Sequence, residues 1–302
     1  METMKKDRKI SGVLFTVCSS LGYGLAPAFC NLAYRLGANA VTMVFFRYLF
    51  SIPVSLLLMW ILRAPFRVTW KQIRDLLICG VAFRATTTLL IYLAYDRIGS
   101  GLATTFHFLY PVITALICVV FFREKMGVIR WVALAMAFVG VLLQGLGDNG
   151  GGEWFGIVLA SLSALCYSVY MLMVEKTSIA QMHPMAATAY MNIVIAGSMT
   201  LFDFLLPNQN IDYAPSATIL FYALLCGVLA SLIGTICLQI GIVRLGASTA
   251  AMFSTLEPVF CVIFGVLILG ENPGWIGAAS CLLIVGAACL ALIKPSDSKV
   301  AR

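Results

Sequence analysis

Arg47, Arg84, His107 and Glu257 are charged, or can titrate near neutral pH, and stand well inside long apolar stretches of the sequence. An ionised side chain at the centre of a bilayer costs at least about 2.5–3.5 kcal/mol, so such residues face protein or water rather than lipid. The Arg84 guanidinium can hold a carboxylate through two parallel hydrogen bonds. Arg84 is therefore a candidate substrate contact, and the alternative is a structural ion pair with Glu257 as partner.

The other three residues also have a functional and a structural interpretation. Glu257 precedes Pro258, which removes a backbone donor from its helix, so the carboxylate is a candidate for a coupling proton or for a structural role at this irregularity. His107 can titrate near neutrality, or it can make a single hydrogen bond between helices. Arg47 lies about two turns from the end of its stretch, from which its side chain can reach lipid headgroups instead of a substrate.

Five uncharged residues in the apolar stretches are further candidates for the lining of a substrate cavity. Such cavities combine aromatic surface with a few hydrogen-bonding groups, although each residue on its own is equally suited to packing. The five are Tyr23, Tyr92, Tyr167, Asn192 and Gln239.

Motifs for catalysis are absent from the sequence. It contains no GxxxxGK[ST] and no HExxH motif, and its ten cysteines form neither a CxxC pair nor a Cys/His cluster. We therefore expect no enzymatic activity, no cofactor and no metal site. Energy for any work must come from gradients, with protons as one candidate.

The composition places these residues in a membrane. Hydrophobic residues make up 61% and charged residues 11% of the 302 positions, which excludes a soluble fold and intrinsic disorder. Apolar stretches of about 20 residues without strand-like alternation predict an all-α integral membrane protein. A signal peptide cleaved near Ala26-Pro27-Ala28 is the alternative for the first stretch, which is longer than a signal sequence requires. The ten predicted transmembrane helices are 10–34, 38–62, 76–95, 102–122, 128–146, 154–174, 185–206, 218–242, 247–269 and 275–293.

Lysine and arginine are distributed unequally between the two ends of these helices. With the N-terminus inside, sixteen of the 20 basic residues fall in inner segments, and only Arg35 and Arg97 fall in outer loops. The positive-inside rule then predicts a multi-pass protein of the cell (inner) membrane with both termini cytoplasmic. Because the basic residues are spread over several short segments, the net charge of +7 does not indicate a nucleic-acid partner.

The chain contains an internal repeat with an offset of 147 residues. The offset aligns Arg97 with Arg244, Pro111 with Pro258, and Glu124 with Glu271 in one gap-free segment. Each half, residues 1–147 and 153–302, then holds five helices. Because five is odd, the second half enters the membrane inverted, and inverted halves are typical of alternating-access transporters with a substrate site near the midplane.

The repeated pattern resembles a known family. The segments Arg97-Ile98-Gly99-Ser100-Gly101, Leu109-Tyr110-Pro111-Val112 and Arg123-Glu124, with their echo in Arg244-Leu245-Gly246-Ala247, Leu256-Glu257-Pro258-Val259 and Gly270-Glu271, are similar to the EamA-type family of the drug/metabolite transporters. The resemblance implies a ten-helix carrier that exports amino acids or other small metabolites. An importer or a proton-coupled drug antiporter is the alternative within transport. An intramembrane enzyme or a non-transporting membrane subunit is the alternative outside it.

Overall fold

The computed structural model describes residues 2–98, 100–145, 154–205, 211–272 and 274–293. Within these residues the chain is helical and contains no strand, in agreement with the predicted all-α class. The α-helices are α1 (Glu2–Tyr34), α2 (Ala40–Ile61), α3 (Trp70–Leu77), α4 (Thr86–Ile98), α5 (Ser100–His107), α6 (Tyr110–Val120), α7 (Val128–Gly145), α8 (Trp154–Lys176), α9 (Pro184–Leu205), α10 (Ala217–Cys226), α11 (Thr235–Leu245), α12 (Ala247–Ser254), α13 (Glu257–Phe264) and α14 (Gly274–Ile293).

Two of these helical stretches contain a π-helical segment near their middle. Ile78–Ala85 joins α3 to α4, and Gly227–Gly234 joins α10 to α11. In each stretch a threonine hydroxyl donates to the carbonyl five residues earlier, from Thr86 at 3.0 Å and from Thr235 at 3.2 Å. The wider turn of a π-helix displaces the local side chains, and such segments occur frequently at functional sites.

Two predicted helices are each interrupted by a turn. The predicted helix 102–122 divides into α5 and α6, and the predicted helix 247–269 divides into α12 and α13. A proline, Pro111 or Pro258, lies in the first turn after each interruption. Proline has no N–H to continue the hydrogen-bond ladder from the preceding helix, but it is well accommodated where a helix starts. Both predicted stretches are still long and apolar enough to cross a membrane, over Ala103–Val120 and Ala247–Leu269, with the turn inside each of them.

The backbone repeats at the 147-residue offset found in the sequence. Arg123 and Gly270 both have positive φ angles, 53° and 68°. The next residues, Glu124 and Glu271, donate their N–H groups to the carbonyls six residues earlier at 3.0 and 3.2 Å. Both halves thus end this helix with the same left-handed turn.

The first helix of each half packs against the other half. Helix α1 lies against α11 of the second half, and α8 lies against α4 of the first half. Glycine permits the close approach in both places. A Cβ atom at Gly12 would lie 2.8 Å from Leu245, and one at Gly156 would lie 2.5 Å from Ile98. Helices α7 and α14 pack against each other, with the Ser280 hydroxyl donating to the Gly140 carbonyl at 2.6 Å.

Eight helical stretches of the described chain are long and apolar enough to cross a membrane. The stretches 70–98 and 128–145 are the remaining long helical elements of the described residues. Bulky apolar side chains are exposed along the bundle, and Trp60, Trp70, Trp154 and Trp275 are at least 71% exposed, as expected for lipid contact and interfacial anchoring. The chain is a multi-pass membrane protein. The eight spans are Asp7–Tyr34, Val41–Ile61, Ala103–Val120, Trp154–Lys176, Pro184–Phe204, Ala217–Leu245, Ala247–Leu269 and Gly274–Ala291.

Candidate functional site

Arg84 lies in the π-helical segment Ile78–Ala85 and is buried, with 7% of its surface exposed. Its guanidinium donates a hydrogen bond to the Tyr23 hydroxyl at the long distance of 3.5 Å. It forms no ion pair within the described chain, whose ion pairs are all at other residues. Glu257 is therefore not a salt-bridge partner of Arg84 in this structure. A buried cation without a counter-ion carries an uncompensated desolvation cost.

Aromatic rings surround this guanidinium. Its central carbon lies 4.9 Å from the ring centre of Tyr167, 5.1 Å from that of Tyr170 and 6.0 Å from that of Tyr23. These distances fall within the range of cation–π attraction, which offsets part of the desolvation cost. The Tyr23 hydroxyl also bonds to that of Thr235 at 2.8 Å, which ties the first helix of one half to α11 of the other. We call Arg84, Tyr23, Tyr167 and Tyr170 the Arg84 cluster.

Tyr170 contributes a polar atom that is available for a further contact. Its hydroxyl is buried and has no hydrogen-bond partner within the described chain. Among the sequence candidates, the Asn192 amide oxygen and the Gln239 amide nitrogen are likewise buried without a partner in the described residues.

Arg47 and Glu257 lie near the Arg84 cluster. Arg47 donates to the Tyr48 hydroxyl at 3.2 Å, and its guanidinium stands 4.9 Å from the centre of the same ring. Tyr48 and Glu257 both lie close enough to Arg47 and Arg84 to interact electrostatically with the two guanidinium groups. Glu257, half-buried at the start of α13, makes no ion pair with either arginine among the described residues. Two cations and one carboxylate therefore share this region.

His107 ends α5 beside the Arg84 cluster. Its ring lies 5.4 Å from that of Tyr167. Its Nδ1 is 2.9 Å from the hydroxyl oxygen of Ser163. The Ser163 hydroxyl donates a hydrogen bond to the Ala160 carbonyl at 2.6 Å. Because the Ser163 proton is used on that carbonyl, Nδ1 is the donor in the first bond. This arrangement is the single interhelical hydrogen bond of the structural interpretation.

Asn192 and Gln239 are fully buried but bond to other partners. The Asn192 amide donates to the Ser231 carbonyl at 3.1 Å, and the Gln239 amide oxygen accepts from the Thr188 hydroxyl at 3.3 Å. These bonds join α9 to the π-helical segment and to α11 rather than to the Arg84 cluster. The side chain of Tyr92 lies outside the described residues.

The sequence interpretation missed Tyr48 and Tyr170. Tyr170 follows Tyr167 by three residues on α8, so a helical-spacing search around Tyr167 would have placed both on one face. Tyr48 adjoins Arg47 in sequence, but nothing in the sequence shows that it also lies near Arg84.

A polar network joins the halves at one end of the bundle. Lys176 pairs with Glu175 at 2.6 Å and with Glu124 at 3.8 Å. Glu175 accepts the N–H of Ala247 at 2.5 Å, at the start of α12. Burial raises the pKa of Glu124 above its usual value, and the nearby charge of Glu175 adds to the increase. Arg130, which is buried, donates to the Thr249 hydroxyl at 2.8 Å. The five residues Glu124, Arg130, Glu175, Lys176 and Thr249 form what we call the end network.

The described part of the chain holds no group of three or more His, Cys, Asp or Glu residues arranged for a metal ion. The arrangement instead offers a buried guanidinium, an aromatic wall and one nearby carboxylate.

Comparison with known proteins agrees with a transporter built on this fold. The profile of the EamA-like transporter family matches residues 10–146 and again 154–293. The chain therefore belongs to the EamA-like transporter family and is a membrane transporter. The two matches also agree with the internal repeat.

Individual relatives are distant but cover much of the chain. Protein RarD of Escherichia coli is 22% identical, with 87% of each chain covered. The uncharacterized transporter YdfC of Bacillus subtilis is 24% identical over 93% of this chain and 92% of its own, and an uncharacterized transporter of Archaeoglobus fulgidus is 22% identical over 68% and 72%. One solved crystal structure shares the fold, with a TM-score of 0.76 at 19% identity over 94% of this chain and 97% of that one.

Proposed function

We propose that the chain is a secondary carrier that moves a small polar metabolite by alternating access. In this proposal ten transmembrane helices form two inverted five-helix repeats, residues 1–147 and 153–302. The predicted helices 76–95 and 128–146 serve as the third and fifth spans. The two family matches, the repeated turns after Arg123 and Gly270, and the unequal distribution of basic residues support this topology, with both termini cytoplasmic in the cell (inner) membrane.

The observation that carries the substrate class is the burial of Arg84 without an ion pair. A carboxylate of the substrate would supply the missing counter-charge and accept two parallel hydrogen bonds. Tyr170, whose ring lies 5.1 Å from the Arg84 guanidinium carbon, adds a second polar group, because its hydroxyl has no partner within the described residues. The favoured substrate is an amino acid or a related carboxylate.

The end network supports the alternating-access part of the proposal. It joins residues of both halves at the end predicted to be cytoplasmic, and the Arg84 cluster is buried. Inverted-repeat carriers open one side of a central site by moving one half against the other. Separation of Glu124 from Lys176 and of Arg130 from Thr249 would open that end.

The proposed direction is export, driven by gradients. Import or proton-coupled drug antiport is the second candidate, and the half-buried position of Glu257 near two arginines favours it. An intramembrane carboxylate is a recurrent proton carrier in transporters. A proton on Glu257 would be released or taken up as the charge around Arg84 changes.

A counterflow screen tests the proposal. Purified protein is reconstituted into liposomes loaded with one unlabelled metabolite, and uptake of trace labelled metabolite is measured without any ion gradient. We expect accumulation with amino acids or related carboxylates and none with their decarboxylated amines. Substitution of Lys71, an exposed cation, by Gln should leave the result unchanged. Counterflow of the amines with no response to the carboxylates would overturn the substrate class, and no counterflow of either would overturn the carrier proposal.

A further inference from the structure

A cavity of about 830 Å³ lies apart from the Arg84 cluster, at the end of the bundle where α1 begins. Its wall combines the first turns of α1 and α9, the segment that precedes α9, and one face of α11. Ligand pockets in proteins range from about 300 to 1,000 Å³. The cavity is thus large enough to hold a ligand of its own.

Helix α11 gives this cavity a gradient of polarity. Ile236, Ile240, Val243 and Arg244 line it, and their spacing places them on one helix face. By helical rise, Arg244 lies about 12 Å further along the axis than Ile236. The Arg244 guanidinium is held 5.0 Å from the ring centre of Phe15. The wall is therefore apolar toward the middle of the bundle and cationic at its end.

Further groups favour an anion at the end of the cavity that lies furthest from the middle of the bundle. Arg8 and His183 line it, together with Pro184 in the first turn of α9. The N-terminus of a helix carries a partial positive charge that favours anions. Within the described chain neither Arg8 nor Arg244 forms an ion pair, and Asp7 is the one acidic residue in the lining.

We propose that this cavity is a binding site for an anionic phospholipid. The phosphodiester binds at Arg8, Arg244 and His183, and an acyl chain lies along Ile236 and Ile240. In the proposed topology the cavity opens at the cytoplasmic leaflet, where basic pockets between transmembrane helices bind anionic lipid headgroups. The site does not depend on the proposed transport function, because lipid binding is measurable without a substrate.

The repeat supplies a matched control for the arginine at this site. Arg97 is the equivalent of Arg244 and stands 4.8 Å from the centre of the Phe155 ring, in the same way as Arg244 stands on Phe15. Arg97 does not line the cavity. Replacement of either arginine removes one basic residue that is stacked on a phenylalanine ring, and of the two only Arg244 lines the cavity.

Binding of phosphatidylglycerol, phosphatidylethanolamine and glycerol 3-phosphate to the full chain in neutral detergent tests the proposal, with native mass spectrometry and thermal melting as readouts. We expect phosphatidylglycerol to bind more tightly than phosphatidylethanolamine and glycerol 3-phosphate to have no effect. Arg8→Gln and Arg244→Gln should each weaken phosphatidylglycerol binding about fivefold, the contribution of one basic residue near an anionic surface. Arg97→Gln should have no effect, and Arg244→Lys should retain most of the affinity.

Three results would overturn the site. They are equal binding of the two lipids, equal loss in Arg97→Gln and Arg244→Gln, and stabilisation by glycerol 3-phosphate that matches that of the lipid. The last result would mark a site for a soluble anion. If Arg244→Gln proves unstable without lipid, the Arg8→Gln variant and the Arg244→Lys comparison still decide the question.

Discussion

Replacement of Arg84 provides the sharpest test of the substrate contact. A hydrogen bond to a charged group contributes about 1.5–3 kcal/mol, so Arg84→Ala should weaken the binding of a carboxylate substrate about 10- to 150-fold. Arg84→Lys keeps the charge but cannot form two parallel hydrogen bonds. Its affinity should therefore lie between those of the wild type and Arg84→Ala. Isothermal titration or scintillation proximity binding on the purified variants measures these differences.

Thermal stability separates the substrate contact from a structural ion pair. If Arg84 were paired with Glu257, Arg84→Ala would leave a buried, unpaired carboxylate and lose about 3–5 kcal/mol of stability, part of which Glu257→Gln would restore. The structure has no such pair within the described chain, so Arg84→Ala should cost less than the roughly 3–5 kcal/mol of a broken buried pair. Wild-type substrate affinity in a stable Arg84→Ala variant would refute the proposed contact.

Three further predictions concern coupling, topology and stability. If Glu257 carries a coupling proton, Glu257→Gln should abolish gradient-driven accumulation and retain substrate exchange, because exchange needs no net protonation; unchanged accumulation would exclude coupling at this residue. In a cysteine-free background, a cysteine at Asn149, which lies outside the described residues, should react with an impermeant thiol reagent added to intact cells, and one at Lys71 should not; the opposite pattern would reverse the orientation. Bonds from the Ser178 hydroxyl and N–H hold the pKa of Asp75 below its usual value. The stability from Asp75 is therefore present above its ordinary pKa of about 3.9 and lost as the pH falls through the lower folded value. Asp75→Asn should lower the melting temperature at pH 7 and reduce the loss of stability on acidification, whereas identical pH profiles would contradict this assignment.

Helices and the internal repeat could be predicted from the sequence because both depend on local information. Apolar length determines where a helix crosses the membrane, and the offset of 147 residues reappears in the matching turns after Arg123 and Gly270. Pro111 and Pro258 indicate an irregularity near the breaks before Tyr110 and Glu257. A proline within an apolar run is compatible with a kink as well as a break, and only the backbone shows which occurs.

The surroundings of Arg84 could be predicted only in part. Its burial followed from its depth in an apolar stretch, and Tyr23 and Tyr167 were among the candidates. Its proximity to Tyr170 depends on how α8 packs against the π-helical segment, and helical periodicity does not contain that information. The end network likewise brings Glu124 to Lys176 through tertiary packing, which single-sequence patterns do not reveal.

The packing contacts of this protein repeat between the two halves, whereas its buried charged residues do not. The repeat equivalent of Arg84 is Ser231, whose carbonyl accepts the Asn192 amide, and the equivalent of Glu257 is Tyr110. The repeated glycines and turns give each half the same way of contacting the other, as an inverted-repeat carrier needs if its two end states are to have similar energies. Arg47 and Arg84, both from the first half, and Glu257, from the second half, supply two cations and one carboxylate to the same buried region. In the proposed function the carboxylate of a substrate would balance the remaining positive charge and so lower the cost of burying it. The unequal distribution of charge therefore agrees with a site for one anionic group between two halves that pack alike.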